Sequence, residues 1–140
     1  MRIRCIVNSE EVQGNDYIGT FEATINTRLG ETLKEYLVMG IMLGEGSLAY
    51  LIDDDGFIIA RPSPLYEVVN NTLTSAWYFR ALKNTDKGYP YREAIWGYYE
   101  LCFDDNHYEQ LVEMEEEARM IYFRRKEELE KLIEIEKLLK

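Results

Sequence analysis

The stretch NHYEQLVEMEEEARMIYFRRKEELEKLIEIEKLLK, Asn106 to Lys140, contains no Gly or Pro and repeats its apolar side chains at helical spacing. Tyr108, Leu111, Val112, Ala118, Ile121, Tyr122, Leu129, Leu132, Ile133 and Leu139 recur three and four apart. Glu115/Arg119, Glu127/Lys131 and Glu136/Lys140 add i,i+4 pairs of opposite charge. This spacing predicts one long helix. At about 1.5 Å per residue it approaches about 50 Å, more than the width of a domain of this size. Residues 108–123 are therefore expected to pack on the body. The remainder should protrude, offering Leu129, Leu132, Ile133, Ile135 and Leu139 to a second copy of the chain. Arg125 and Glu128 fall on the heptad seam and argue against an uninterrupted coiled coil.

Upstream, Met1–Asn8 alternates Ile3, Cys5 and Val7 with Arg2, Arg4 and Ile6, the pattern of a strand with one apolar face. Tyr17–Asn26, rich in β-branched and aromatic residues, should pair with it antiparallel. Thr32-Leu33-Lys34-Glu35 has the form of a capping box and predicts a helix to about Leu43, closed by Gly44. Leu48–Ile52 and Phe57–Ala60 flank Asp53-Asp54-Asp55-Gly56, a hairpin signal. Arg61-Pro62-Ser63-Pro64 ends that hairpin, because neither proline can donate to a central ladder. Leu65–Val69 reads as an edge strand. Helices are predicted from Thr72 or Thr74 to about Asn84 and from Tyr91 to about Phe103. The expected class is α+β: a small antiparallel sheet in the N-terminal half followed by three helices, the last long and protruding. A globular body over 1–105 and the helix over 106–140 form one domain.

Sixteen basic residues stand against 26 acidic ones, a net charge of −10 that opposes direct binding to nucleic acid and to anionic membranes. A partner is expected to be neutral or basic. Cys5 and Cys102 sit among apolar neighbours, which predicts buried free thiols. With no signal-peptide core and no transmembrane run, the expected location is cytoplasmic.

Motifs for catalysis or cofactors are weak. The Asp53–Gly56 turn fails as a calcium loop, because Leu51 and Pro62 would occupy its first and twelfth positions. Asp104, Asp105 and Asn106 beside His107 are explained by capping of a helix start. Gly44-Glu45-Gly46-Ser47 lacks the remaining residues of a phosphate loop. No cofactor or metal is expected. With one histidine and two cysteines predicted to be buried, an enzyme is the third choice.

Aromatic residues make the stronger signal. Trp77, Tyr78, Phe79, Tyr89, Tyr91, Trp96, Tyr98, Tyr99, Phe103 and Tyr108 crowd the 32 residues from 77 to 108, with Arg80 and Arg92 among them. On a helix Arg92 and Trp96, four apart, would share a face. Two functions follow. The first is a non-catalytic, acidic protein-interaction module that engages a basic partner, with Asp53, Asp54 and Asp55 on its acidic surface. Inhibitors of phage or bacterial anti-defence type, which imitate the charge of DNA, have such a composition. The second is a homodimer whose interface pocket binds a nucleotide-like ligand through Trp77, Tyr78, Arg80, Tyr89, Tyr91, Arg92, Trp96 and Arg61.

Overall fold

The computed structural model describes residues 1–5, 34–83 and 92–139. Among them the class is α+β, with two antiparallel sheets followed by three helices, the last of them long. Strands β1 (Arg2–Cys5), β2 (Glu35–Leu37) and β6 (Tyr66–Asn70) form a sheet of order β2-β1-β6. Strands β3 (Gly40–Gly44), β4 (Ser47–Asp54), β5 (Phe57–Pro62), β7 (Tyr78–Ala81) and β8 (Ala94–Gly97) form a second, ordered β5-β4-β3-β8-β7. Helices α1 (Tyr99–Phe103), α2 (His107–Val112) and α3 (Glu116–Leu138) follow.

Side-chain alternation along β4 places the larger sheet between two apolar layers. Tyr50 and Ile52 point to a cluster with Ile3, Cys5, Tyr36, Val38, Leu65 and Tyr66 on the smaller sheet. Leu51 points to the helices, joining Met42, Ile95, Leu101, Leu111, Ala118, Tyr122 and Leu129. Leu51 is fully buried, so Leu51→Ala would cost about 2–5 kcal/mol through lost burial and the cavity left behind.

The predicted hairpin forms with a two-residue turn: Asp54 pairs with Phe57, and Asp55 and Gly56 take φ of 51° and 91°. A second turn of the same kind joins β3 to β4 through Glu45 and Gly46, at φ 52° and 76°. The edge strand predicted at Leu65–Val69 is β6, pairing with β1. The strand predicted over Tyr17–Asn26 lies outside the described residues.

Three predicted helices are corrected. The segment ending at Leu43 is not helical over its described part; it forms β2 and β3, crossing from one sheet to the other at Val38 and Met39. Both of its faces are buried, so Tyr36-Leu37-Val38-Met39 reads as a continuous apolar run instead of an alternating one. The segment after Thr72 is a turn leading into β7. The Asn70 side chain accepts the Thr72 N–H and the Thr74 hydroxyl accepts the Ala76 N–H, local bonds that compete with helix formation. The segment to Phe103 is β8 followed by only five helical residues.

The long C-terminal helix is also interrupted. Met114 adopts φ 60°, with its N–H donating to the Leu111 carbonyl and the Glu115 N–H donating to that of Gln110. This is a Schellman closure of α2 with methionine where glycine is usual. After it α3 runs 23 residues back across the larger sheet. Arg119 donates to the Gly56 carbonyl at 2.8 Å, and Lys126 pairs with Asp53 at 2.8 Å.

Candidate functional site

The aromatic cluster, expected on two helices, is instead divided between the two faces of the larger sheet. In β7 and β8 successive side chains point to opposite faces, so Tyr78 and Arg80 lie on the helical side. Tyr78 meets Tyr99 at 5.5 Å and Phe103 at 5.9 Å, and Arg80 donates to the Cys102 carbonyl and to Asp105. On the other face Phe79 lies 5.0 Å from Trp96, and Trp77 packs against the cluster of the smaller sheet. Arg92 precedes β8 while Trp96 is within it, so the helical spacing that paired them does not exist. Tyr89 and Tyr91 lie outside the described residues. Arg61 is fully buried opposite Tyr50 and close enough to Tyr36 to act on its phenol. Those of them among the described residues do not converge on one pocket. A cleft of about 150 Å³ is instead lined by Met1, Arg2, Thr72, Thr74, Glu136 and Lys137, among others. It adjoins the last turns of α3, where cations compensate the negative end of the helix dipole.

The acidic turn is mostly consumed internally. Asp53 accepts from the Tyr122 hydroxyl and from Lys126, and the buried Asp54 pairs with Lys34. Asp55, with 91% of its side chain exposed, remains on the surface although it also meets Lys34. Leu129, predicted for a subunit interface, belongs to the core, and Leu132 and Ile133 are half-buried. Ile135 and Leu139 are exposed, together with Leu138.

The N-cap of α2 is Asn106, whose side chain makes no capping bond, while Asp104 accepts the Asn106 N–H; His107 beside them points inward. Its ring is fully buried, Nε2 lies 2.6 Å from the Tyr98 hydroxyl, and Nδ1 has no hydrogen-bond partner among the described residues. Tyr98 also stacks edge-on to Tyr122 at 6.2 Å. Burial holds the imidazole below its usual range, against the pull of Asp104 and Glu100. Nothing in the sequence marks this histidine as buried. Cys102 is likewise inert: its thiol donates to the Gly97 carbonyl, and burial pushes it up to about 11. Both cysteines are buried, and neither forms a disulfide among the described residues. Among the described residues no three His, Cys, Asp or Glu side chains converge on a metal position.

The surface that sequence reasoning missed is the elbow between α2 and α3. Val112 and Met114 are 55% and 53% exposed there. Glu109, Glu113, Glu115, Glu116 and Glu117 flank them, all exposed, with no basic residue from 109 to 117. The first-turn positions of Glu109, Glu116 and Glu117 suit the helix dipoles. Helix formation does not account for two large apolar side chains held in water between carboxylates. The only signal in the sequence was the run Glu113-Met114-Glu115-Glu116-Glu117, which a continuous helix absorbed.

No protein-family model, curated protein or solved structure matches the chain. Its function is therefore argued from its own residues.

Proposed function

We propose that the chain is a non-catalytic protein-interaction module whose α2–α3 elbow docks on a basic protein surface. The observation that carries this reading is the pair Val112 and Met114, both more than half exposed at a turn where Met114 takes a positive φ, and bordered by five carboxylates. Apolar contact would supply affinity and the carboxylates would select and steer a basic partner. The net charge of −10 acts in the same sense. An inhibitor that occupies a basic, nucleic-acid-binding enzyme would be one protein of this kind. The free cysteines favour the cytoplasm. No helix among the described residues is long and apolar enough to cross a membrane.

Self-association is a second reading, favoured by Leu138 and Leu139, which are 84% and 82% exposed at the end of α3. A nucleotide stacked on Phe79 and Trp96 is the competing occupant of the aromatic region. Arg61 is buried, and Arg80 is engaged on the opposite face, so neither is placed to meet its phosphate.

The test is photo-crosslinking from position 112 in native lysate, followed by association of the recovered protein with wild type and with Met114→Ser. The proposal expects a basic protein whose association slows as salt rises past the point where the Debye length is about 8 Å, and which binds Met114→Ser at least about tenfold more weakly. Equal binding by Met114→Ser, or an association rate indifferent to salt, overturns it.

A further inference from the structure

Two observations of different kinds fall on the same six-residue helix. At its start, His107 is buried with Nδ1 unsatisfied; at its end, Met114 holds a left-handed conformation that L side chains disfavour. Helix α2 is also too short to persist without its packing. Its attachment includes Leu111 in the core, Tyr108 packed against that core, the His107–Tyr98 hydrogen bond, and contact with α1, β5 and α3.

We propose that α2 is an acid-releasable latch: protonation of His107 detaches α2 and the Met114 turn from the core while both sheets and α3 stay folded. In the imidazolium both ring nitrogens carry a proton. Nε2–H can still donate to the Tyr98 oxygen, but Nδ1–H then becomes a charged donor with no acceptor in an apolar site. The carboxylates of Asp104 and Glu100 favour the charged ring, but less than burial opposes it, and neither accepts from Nδ1. From the α1 side, Glu100 is bound by Arg125 through two bonds, and Asp104 already accepts the Asn106 N–H. From α3, Tyr122 gives its hydroxyl proton to Asp53, and Arg125 is itself cationic. Strand β5 presents Ile58 and Ala60 on this face. Release of α2 transfers the charge to water and lets Met114 leave its strained conformation. Its consequence for a partner, loss of the docking knob, rests on the preceding functional reading; the latch itself does not.

The burial that holds His107 below its ordinary value sets the sign. Between the depressed folded value and the ordinary 6.5, the released state binds one more proton than the closed state. Stability of the closed state is complete above about pH 6.5 and falls as pH drops through that window. The released population rises by up to about tenfold per pH unit.

Amide hydrogen exchange, corrected for intrinsic rates, tests this from about pH 7.5 to about pH 5 without any partner. Amides that are protected in α2 and its closing turn should lose protection by up to about tenfold per pH unit, while those of β4 and of residues 118–132 keep theirs. His107→Gln, which retains a partner for Tyr98 but does not titrate, should remove the pH dependence. Met114→Gly relaxes the turn in the closed state and should move the transition down by about half a pH unit. The latter variant decides the matter even if His107→Gln fails to fold. Simultaneous loss of protection in α2, α3 and β4, unchanged pH dependence in His107→Gln, or no downward shift in Met114→Gly overturns the latch.

Discussion

Gly40 and Gly97 stand directly opposite each other on β3 and β8, and the Leu101 side chain of α1 fills the notch their missing side chains leave. A Cβ on Gly97 would fall 2.7 Å from Leu101 Cδ2 and 3.1 Å from the Met39 carbonyl, and one on Gly40 would collide with the same methyl group. Leu101 is fully buried and has no open direction in which to withdraw. Gly97→Ala and Gly40→Ala should each destabilise the fold by about 1–3 kcal/mol, measured by urea denaturation. Leu101→Ala should be costly alone, yet it should absorb part of the glycine penalty when combined. Strict additivity would show that the contact is not shared.

Met114→Gly separates folding from binding at the elbow. Glycine adopts φ 60° without the penalty methionine carries, so stability should rise by about 1 kcal/mol, less the entropy glycine adds to the unfolded chain. Partner affinity should fall in the same variant, because the exposed side chain is gone. A drop in thermal stability would show that the Met114 side chain holds the elbow closed.

Acid should act on a second group below the histidine window. Two hydrogen bonds from Arg125 hold the Glu100 carboxyl below its ordinary value of 4.5. Its contribution is therefore complete above about pH 4.5 and is lost as pH falls through the depressed value. Glu100→Gln should flatten that lower limb of the stability–pH curve and leave the limb near pH 6 in place. A lower limb of unchanged slope would assign it to other carboxylates.

The exposed end of α3 can be removed without opening the core, provided the cut respects Leu129 and Ile133. If Leu138 and Leu139 form a subunit contact, truncation after Glu134 should halve the mass seen by light scattering while the circular dichroism stays native-like. Truncation after Lys126 removes a buried leucine and should unfold the chain. A full-length monomer at tens of micromolar, an order-of-magnitude concentration for a modest dimer, would sink the self-association reading.

The α+β class, the β4–β5 hairpin, the edge strand β6 and the long α3 were legible because each carries a local signal: Asp-Gly at positive φ, prolines that block a ladder, a 3.6-residue stripe. Segments buried on both faces were not. Tyr36–Met39 and Ala94–Gly97 bury side chains on both faces, and their period is hidden where apolar residues are continuous. Of the three carboxylates expected on the acidic surface only Asp55 is exposed, because Asp53 and Asp54 turn toward Lys126 and Lys34 on segments distant in sequence. The elbow escaped notice because methionine is an unusual residue at a left-handed helix end.

The bonds from Arg119 to Gly56 and from Lys126 to Asp53 join residues 63 and 73 positions apart. The β4–β5 hairpin and α3, by contrast, are each held by local contacts and can form early and separately. Bringing them together closes a long loop and belongs late on the folding route. Contacts made after the transition state govern how fast the native state is lost, not how fast it is reached. Lys126→Met should therefore quicken unfolding in a stopped-flow chevron while the refolding limb scarcely moves. The protein's lifetime against spontaneous opening is set at the seam where α3 meets the hairpin tip.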